Sequence, residues 1–124
     1  MKFLIAFFIF SVGLLSAQPR PINRTEAQAR RIVDSLYTLV KNGSDISKLA
    51  LTNSEDPGTN FRGGMLLNIP YGRLVPEFDN EVVKLDAGMI SQPFRTIYGY
   101  HFLQVIEKTA TAYTVRHILI KFRE

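Results

Sequence analysis

The sequence predicts one α+β domain: helices packed around a small, largely antiparallel sheet and gathered on one side of it. Three observations carry that expectation. Apolar residues repeat at three- and four-residue spacing between Ala29 and Val40, the mark of a helix with one buried stripe. From Pro93 onward the period changes to two and β-formers dominate. Between these regions lies a stretch punctuated by Pro57, Gly58, Gly63, Gly64 and Pro70.

The first 17 residues read as an export signal. Lys2 gives a positive start, Phe3 to Leu15 is an apolar run, and Leu15-Ser16-Ala17 supplies small residues before Gln18. The run is shorter than the ~20 residues that a membrane-spanning helix needs, so the alternative, an uncleaved anchor, fits less well. After cleavage no stable membrane span is expected, and the location is periplasmic or otherwise exported. Residues 18–23 form a leader stiffened by Pro19 and Pro21.

The domain is assigned to residues 24–124. Thr25 and Gln28 form a capping-box pattern at the start of the first helix, which carries Ala29, Ile32, Val33, Leu36, Leu39 and Val40 and ends at Asn42-Gly43. Ser44 or Asp45 caps a second helix with Ile46, Leu49, Ala50 and Leu51. Residues 53–71 read as a long loop, a kind often functional in small domains. A third helix is expected from Val75 to Leu85, with Pro76 in its first turn and Gly88 beyond its end. Strands are expected over Pro93–Thr96, Tyr100–Ile106 and Tyr113–Phe122, with a turn at Tyr98-Gly99 and a hairpin loop at Lys108–Ala112.

Composition excludes several chemistries. There is no cysteine among the 124 residues, so thiol catalysis, disulfides and cysteine-ligated metals are out. His101 and His117 have no partner at metal-ligand spacing, so no metal is expected. The net charge of +4 is mild and unclustered, which argues against nucleic acid as a partner.

Several segments together resemble the parvulin-type (PpiC) rotamase family of peptidyl-prolyl isomerases. Ile46-Ser47-Lys48-Leu49-Ala50 followed by Ser54-Glu55-Asp56 is similar to its "F-x-x-L-A … S-x-D" segment. Arg62-Gly63-Gly64 resembles the glycine pair before its second strand. Gly72 to Phe78 resembles "G-x-M-V-P-x-F", Gly88 to Pro93 "G-x-I-S-x-P", and Thr96 to His101 "T-x-x-G-Y-H". His117-Ile118-Leu119-Ile120-Lys121 resembles the family's opening strand, "H-I-L-I-K", but here it comes last. The displaced strand implies either a permutation or one unit of a tandem, SurA-like periplasmic chaperone-isomerase, so that residues 113–124 either complete the sheet or open a truncated second unit. A hairpin through Lys108–Ala112 places that strand beside Tyr100–Ile106 within the chain. Left unpaired, it would invite a strand-swapped dimer.

The resemblance implies a fold of the parvulin/FKBP-like kind and an isomerase that assists folding of exported proteins, or alternatively a non-catalytic chaperone module built on the same groove. The partners implied are unfolded or extended proline-containing polypeptides. Rotation about X–Pro makes and breaks no bond, so no cofactor is implied. The family's proline pocket maps onto Leu66, Leu74 and Phe78, which otherwise read as plain core residues. Its paired histidines map onto His101 and His117, which orient the site or, alternatively, form a satisfied core pair. Asp56 maps onto the position that is cysteine or aspartate in the family, against the plainer reading of a turn before Pro57. Thr96 maps onto a threonine that bonds the histidines, and Tyr98 lines the opposite edge. The chain departs from "G-G-D-L-G", reading Gly63-Gly64-Met65-Leu66-Leu67, which puts the local backbone path in question.

Overall fold

The computed structural model describes residues 21–123; the segment read as an export signal, residues 1–17, lies outside the described residues. Thr25 Oγ1 accepts the Gln28 amide and the Gln28 side chain accepts the Thr25 amide, closing a capping box that starts helix α1, Glu26–Lys41. The expected stripe is wider than its contact. Ala29, Val33 and Leu36 are buried, whereas Ile32 and Leu39 lie on its flanks and stay exposed. Asp45 caps α2, Ile46–Asn53, by accepting the Ser47 amide. Helix α3, Pro76–Val83, is shorter than its sequence signal: its last turn tightens into i→i+3 bonds from Lys84 to Glu81 and from Leu85 to Val82.

The sheet holds β1 (Met65–Pro70), β2 (Phe94–Thr96), β3 (Gly99–Lys108) and β4 (Ala112–Ile120) in the order β1-β4-β3-β2, with every pair antiparallel. The stretch 53–71 is therefore not all loop. It contains a short 3₁₀ turn, Asn60–Arg62, and the edge strand β1. The two-residue period is hidden there because a bulge falls between Leu66 and Ile69. Asn68 takes φ 51° at the bulge and turns its amide to Thr114 Oγ1. The strand closes on Pro70, which an edge position tolerates. The last strand of the chain occupies the interior of the sheet, between β1 and β3.

Helices cover both faces of the sheet rather than one, which corrects the one-sided expectation. The alternation along β3 and β4 explains why. Phe102, Ile118 and Ile120 point to one face and pack with Ala29, Val33 and Leu36 of α1 and Ile46 and Ala50 of α2. Leu103, Val105, Tyr113 and Val115 point to the other and pack with Phe78 and Val82 of α3. His101 shares the parity of Leu103, and His117 that of Val115, so both imidazoles fall on the face that only the short helix α3 covers.

Candidate functional site

Backbone pairing sets the two histidines. The β3–β4 register opposes His101 to Leu119 and Leu103 to His117, making the histidines diagonal neighbours on one face. Their rings lie nearly parallel, centroids 5.5 Å apart, with Nδ1 to Nδ1 at 3.4 Å. Both are almost fully buried, His101 2% and His117 4% exposed.

Asp56 reaches them because the segment before it is pinned to the end of β4. Ser54 Oγ accepts the Leu119 amide at 3.1 Å, and the Glu55 amide donates to the Leu119 carbonyl at 2.8 Å. The Glu55 carboxylate accepts the Lys121 amide at 2.7 Å and pairs with Arg24 at 2.5 Å. The chain then turns at Asp56-Pro57-Gly58, where Asp56 Oδ1 accepts the Gly58 amide at 3.1 Å. Its Oδ2 faces His117 Nε2 at 2.8 Å and accepts the Thr59 hydroxyl at 2.6 Å. The glycine pair serves the same approach. Gly64 has φ 79°, its carbonyl accepts the His117 amide at 2.9 Å, and a Cβ there would run into the His117 carbonyl.

The result is one continuous polar chain. The hydrogen bond from His117, joined by that from Thr59, holds the Asp56 carboxyl well below the usual carboxylate range despite partial burial. Burial pushes the His101 imidazole down to about 3, so it is neutral at physiological pH. The hydrogen bonds then close in one direction. Thr96 Oγ1 donates to His101 Nε2 at 2.7 Å, and His101 Nδ1–H points to His117 Nδ1. His117 Nε2–H points to the Asp56 carboxylate, and the Tyr98 amide donates to Thr96 Oγ1 at 3.0 Å. This tautomer assignment follows from satisfying every partner in the network.

Beside the chain lies a cavity of about 570 Å³. Leu66, Leu74, Val75 and Phe78 form its apolar wall, and Asp56, His101 and His117 its polar side. Tyr98 stands on the rim, 58% exposed. The Phe78 ring meets both imidazoles edge-on, with centroids at 5.1 Å from His101 and 5.4 Å from His117, so this side chain belongs to the core and to the cavity at once. Thr96 does not line this cavity. It sits behind His101, facing a smaller one of about 390 Å³ on the far side of Tyr98. The eight residues singled out in the sequence therefore converge, seven on the cavity and Thr96 one hydrogen bond behind it.

Three contributors were not legible in the sequence. Thr59 is 3% exposed and holds both Asp56 and, at 3.1 Å, His117 Nε2. Phe94 stacks on His101 at 5.4 Å. Asp79 accepts the Gly72 amide at 2.8 Å and the Tyr113 hydroxyl at 2.9 Å, tying the turn before Leu74 to α3 and β4. Burial and the Asp79 bond push the Tyr113 hydroxyl up from its ordinary value. The only signal was Asp56-Pro57-Gly58-Thr59, a turn sequence in which a hydroxyl follows an aspartate by three residues. Among the described residues, no three His, Cys, Asp or Glu side chains converge as a metal site would need.

Comparison with known proteins points the same way. The model of the PPIC-type PPIASE domain matches residues 9–109. Chaperone SurA of Pseudomonas putida is 40% identical over 88 residues, 71% of this chain and 21% of its own length. Chaperone SurA of Pseudomonas fluorescens is 42% identical over 94 residues, 76% of this chain and 22% of its own. Foldase protein PrsA 3 of Bacillus anthracis is 44% identical over 69 residues, 56% of this chain and 24% of its own. Among solved structures, the peptidylprolyl isomerase PrsA of Bacillus cereus superposes with a TM-score of 0.58 at 32% identity, covering 73% of this chain and 33% of that one. The chain thus spans about a fifth to a quarter of the length of these curated relatives.

Proposed function

The chain belongs to the PPIC-type PPIASE domain family, and from that premise we propose that it is a peptidyl-prolyl cis–trans isomerase assisting the folding of exported proteins. The observation that carries the reading is the buried Thr96–His101–His117–Asp56 chain ending at an apolar cavity. Amide resonance sets a barrier of ~18–20 kcal/mol to rotation about X–Pro. Exchange without help takes tens to hundreds of seconds. The catalyst needs no nucleophile; it must favour the twisted amide over the planar one.

The parts suit that task. Leu66, Leu74 and Phe78 take the proline ring against an apolar wall. Asp56, with 26% of its side chain exposed, is the polar group placed to meet the amide that rotates. His101, His117 and Thr96 lie behind it and act by positioning the carboxylate and the Phe78 ring. Tyr98 covers the client chain from the rim. The clients are unfolded or extended proline-containing polypeptides, met after export directed by residues 1–17. No helix among the described residues is long and apolar enough to cross a membrane.

The test is refolding of a protein whose slow phase is limited by a non-native proline isomer, beside one that folds without such a phase. Acceleration of the first alone supports isomerase activity. Suppressed aggregation of both proteins with no change in the slow phase would replace it with the chaperone reading.

A further inference from the structure

Two cations rim the cavity. Arg73 comes from the turn between β1 and α3, and Lys121 directly follows β4. Four basic side chains elsewhere pair with acids, Arg24 with Glu55, Arg30 with Asp34, Lys84 with Glu81 and Arg95 with Glu26, while the others among the described residues do not; what sets Arg73 and Lys121 apart is their place at the cavity. Among the described residues, neither Arg73 nor Lys121 enters a salt bridge. The two acids on the segment beside the end of β4 are already engaged. Glu55, which accepts the Lys121 amide, holds Arg24, and Asp56 is taken by His117, Thr59 and the Gly58 amide. With the His101 imidazole neutral, the cavity carries two cations, Arg73 and Lys121, against one carboxylate, Asp56, so the balance of charge at its mouth is positive. A low-dielectric wall beside such charges strengthens their pull on an anion.

Resting on the isomerase reading, we propose that the cavity selects client segments in which a carboxylate side chain flanks the proline, with Arg73 and Lys121 as the residues that set this preference. An exposed or half-exposed ion pair of this kind contributes modestly, so each cation is expected to change affinity roughly two- to fivefold.

The experiment compares short peptides with Glu before proline, Glu after proline, Gln at both positions, and Lys at both. Each is titrated into the purified protein by NMR, and its cis–trans exchange rate is measured in the same samples. The expected result is tighter binding of one or both Glu peptides than of the Gln peptide, weakest binding of the Lys peptide, and a gap that shrinks in high salt. Arg73→Gln and Lys121→Gln should each narrow the Glu-to-Gln ratio, showing which cation faces which flank, and together bring it close to one. Equal affinity for the Glu and Gln peptides overturns the proposal even if exchange is accelerated. A Glu preference in binding with no accelerated exchange supports the proposal while removing the isomerase reading beneath it.

Discussion

Thr96→Val deletes one hydroxyl and keeps the side-chain shape. That hydroxyl sits 2.7 Å from His101 Nε2 and accepts the Tyr98 amide at 3.0 Å, at a residue only 5% exposed. In the valine variant a ring nitrogen and an amide both face a methyl group. A buried polar group left without a partner costs about 1–3 kcal/mol. His101 cannot escape by taking a proton, because burial already pushes its pKa down to about 3. Tyr98 lies nearer solvent, so its amide can recruit water and contributes at the low end. The expected loss is about 2–4 kcal/mol, a fall in Tm of roughly 10–20 °C for a domain of this size. Urea unfolding followed by circular dichroism measures it, and ¹⁵N shifts of the imidazoles report the tautomers. Thr96→Ser should recover most of the loss and restore the wild-type shifts. A loss below about 0.5 kcal/mol, the range of an ordinary surface change, or a serine variant no better than valine, would refute the proposed direction of the chain.

Other expectations follow from the same geometry. Gly64→Ala combines a positive φ with a clash on the His117 carbonyl and should cost more than about 2 kcal/mol, whereas Gly72→Ala, with φ 87° but open space around it, should cost about 1, both read from urea midpoints. His101 binds its proton more weakly folded than unfolded, so stability should fall as pH drops from 6.5 toward about 3, by at most ~1.4 kcal/mol per pH unit. His101→Gln should flatten that limb of a stability–pH curve. Asp56 has the familiar carboxylate sign: its lowered pKa contributes stability above its ordinary 3.8 that is lost on acidification, and Asp56→Asn should remove that part of the acid limb. Tyr98→Ala, at an exposed ring on the rim, should leave Tm within a few degrees yet lower kcat/KM for X–Pro exchange.

Local signals carried most of the architecture. The capping box at Thr25, the proline at Pro76 and the period-two runs after Pro93 act over a few residues, and the elements start where those rules put them, with α3 ending at Val83, short of the expected Leu85. What stayed hidden was non-local. Strand β1 exists because β4 offers it an edge, and its bulge at Asn68 erases the alternation that would have announced it. The covering of both faces followed from parity along β3 and β4, which needs the register of the hairpin. At the site, Asp56, His101, His117 and Thr96 were found through the family's motifs, which lie far apart in sequence. Thr59, Phe94 and Asp79 carry no motif and act only through folded contacts.

We propose that the Asp56-terminated histidine chain beside the apolar cavity accelerates rotation about X–Pro. Exchange NMR on a short X–Pro peptide, with the purified wild type and with Asp56→Ala, tests it most directly. Catalytic amounts of wild type should give broadened or exchange-linked cis and trans signals. The Asp56→Ala variant, shown to be folded by circular dichroism, should lose most of that rate while still binding the peptide. Folded wild type that leaves the uncatalysed rate unchanged, or an alanine variant as fast as wild type, would contradict it.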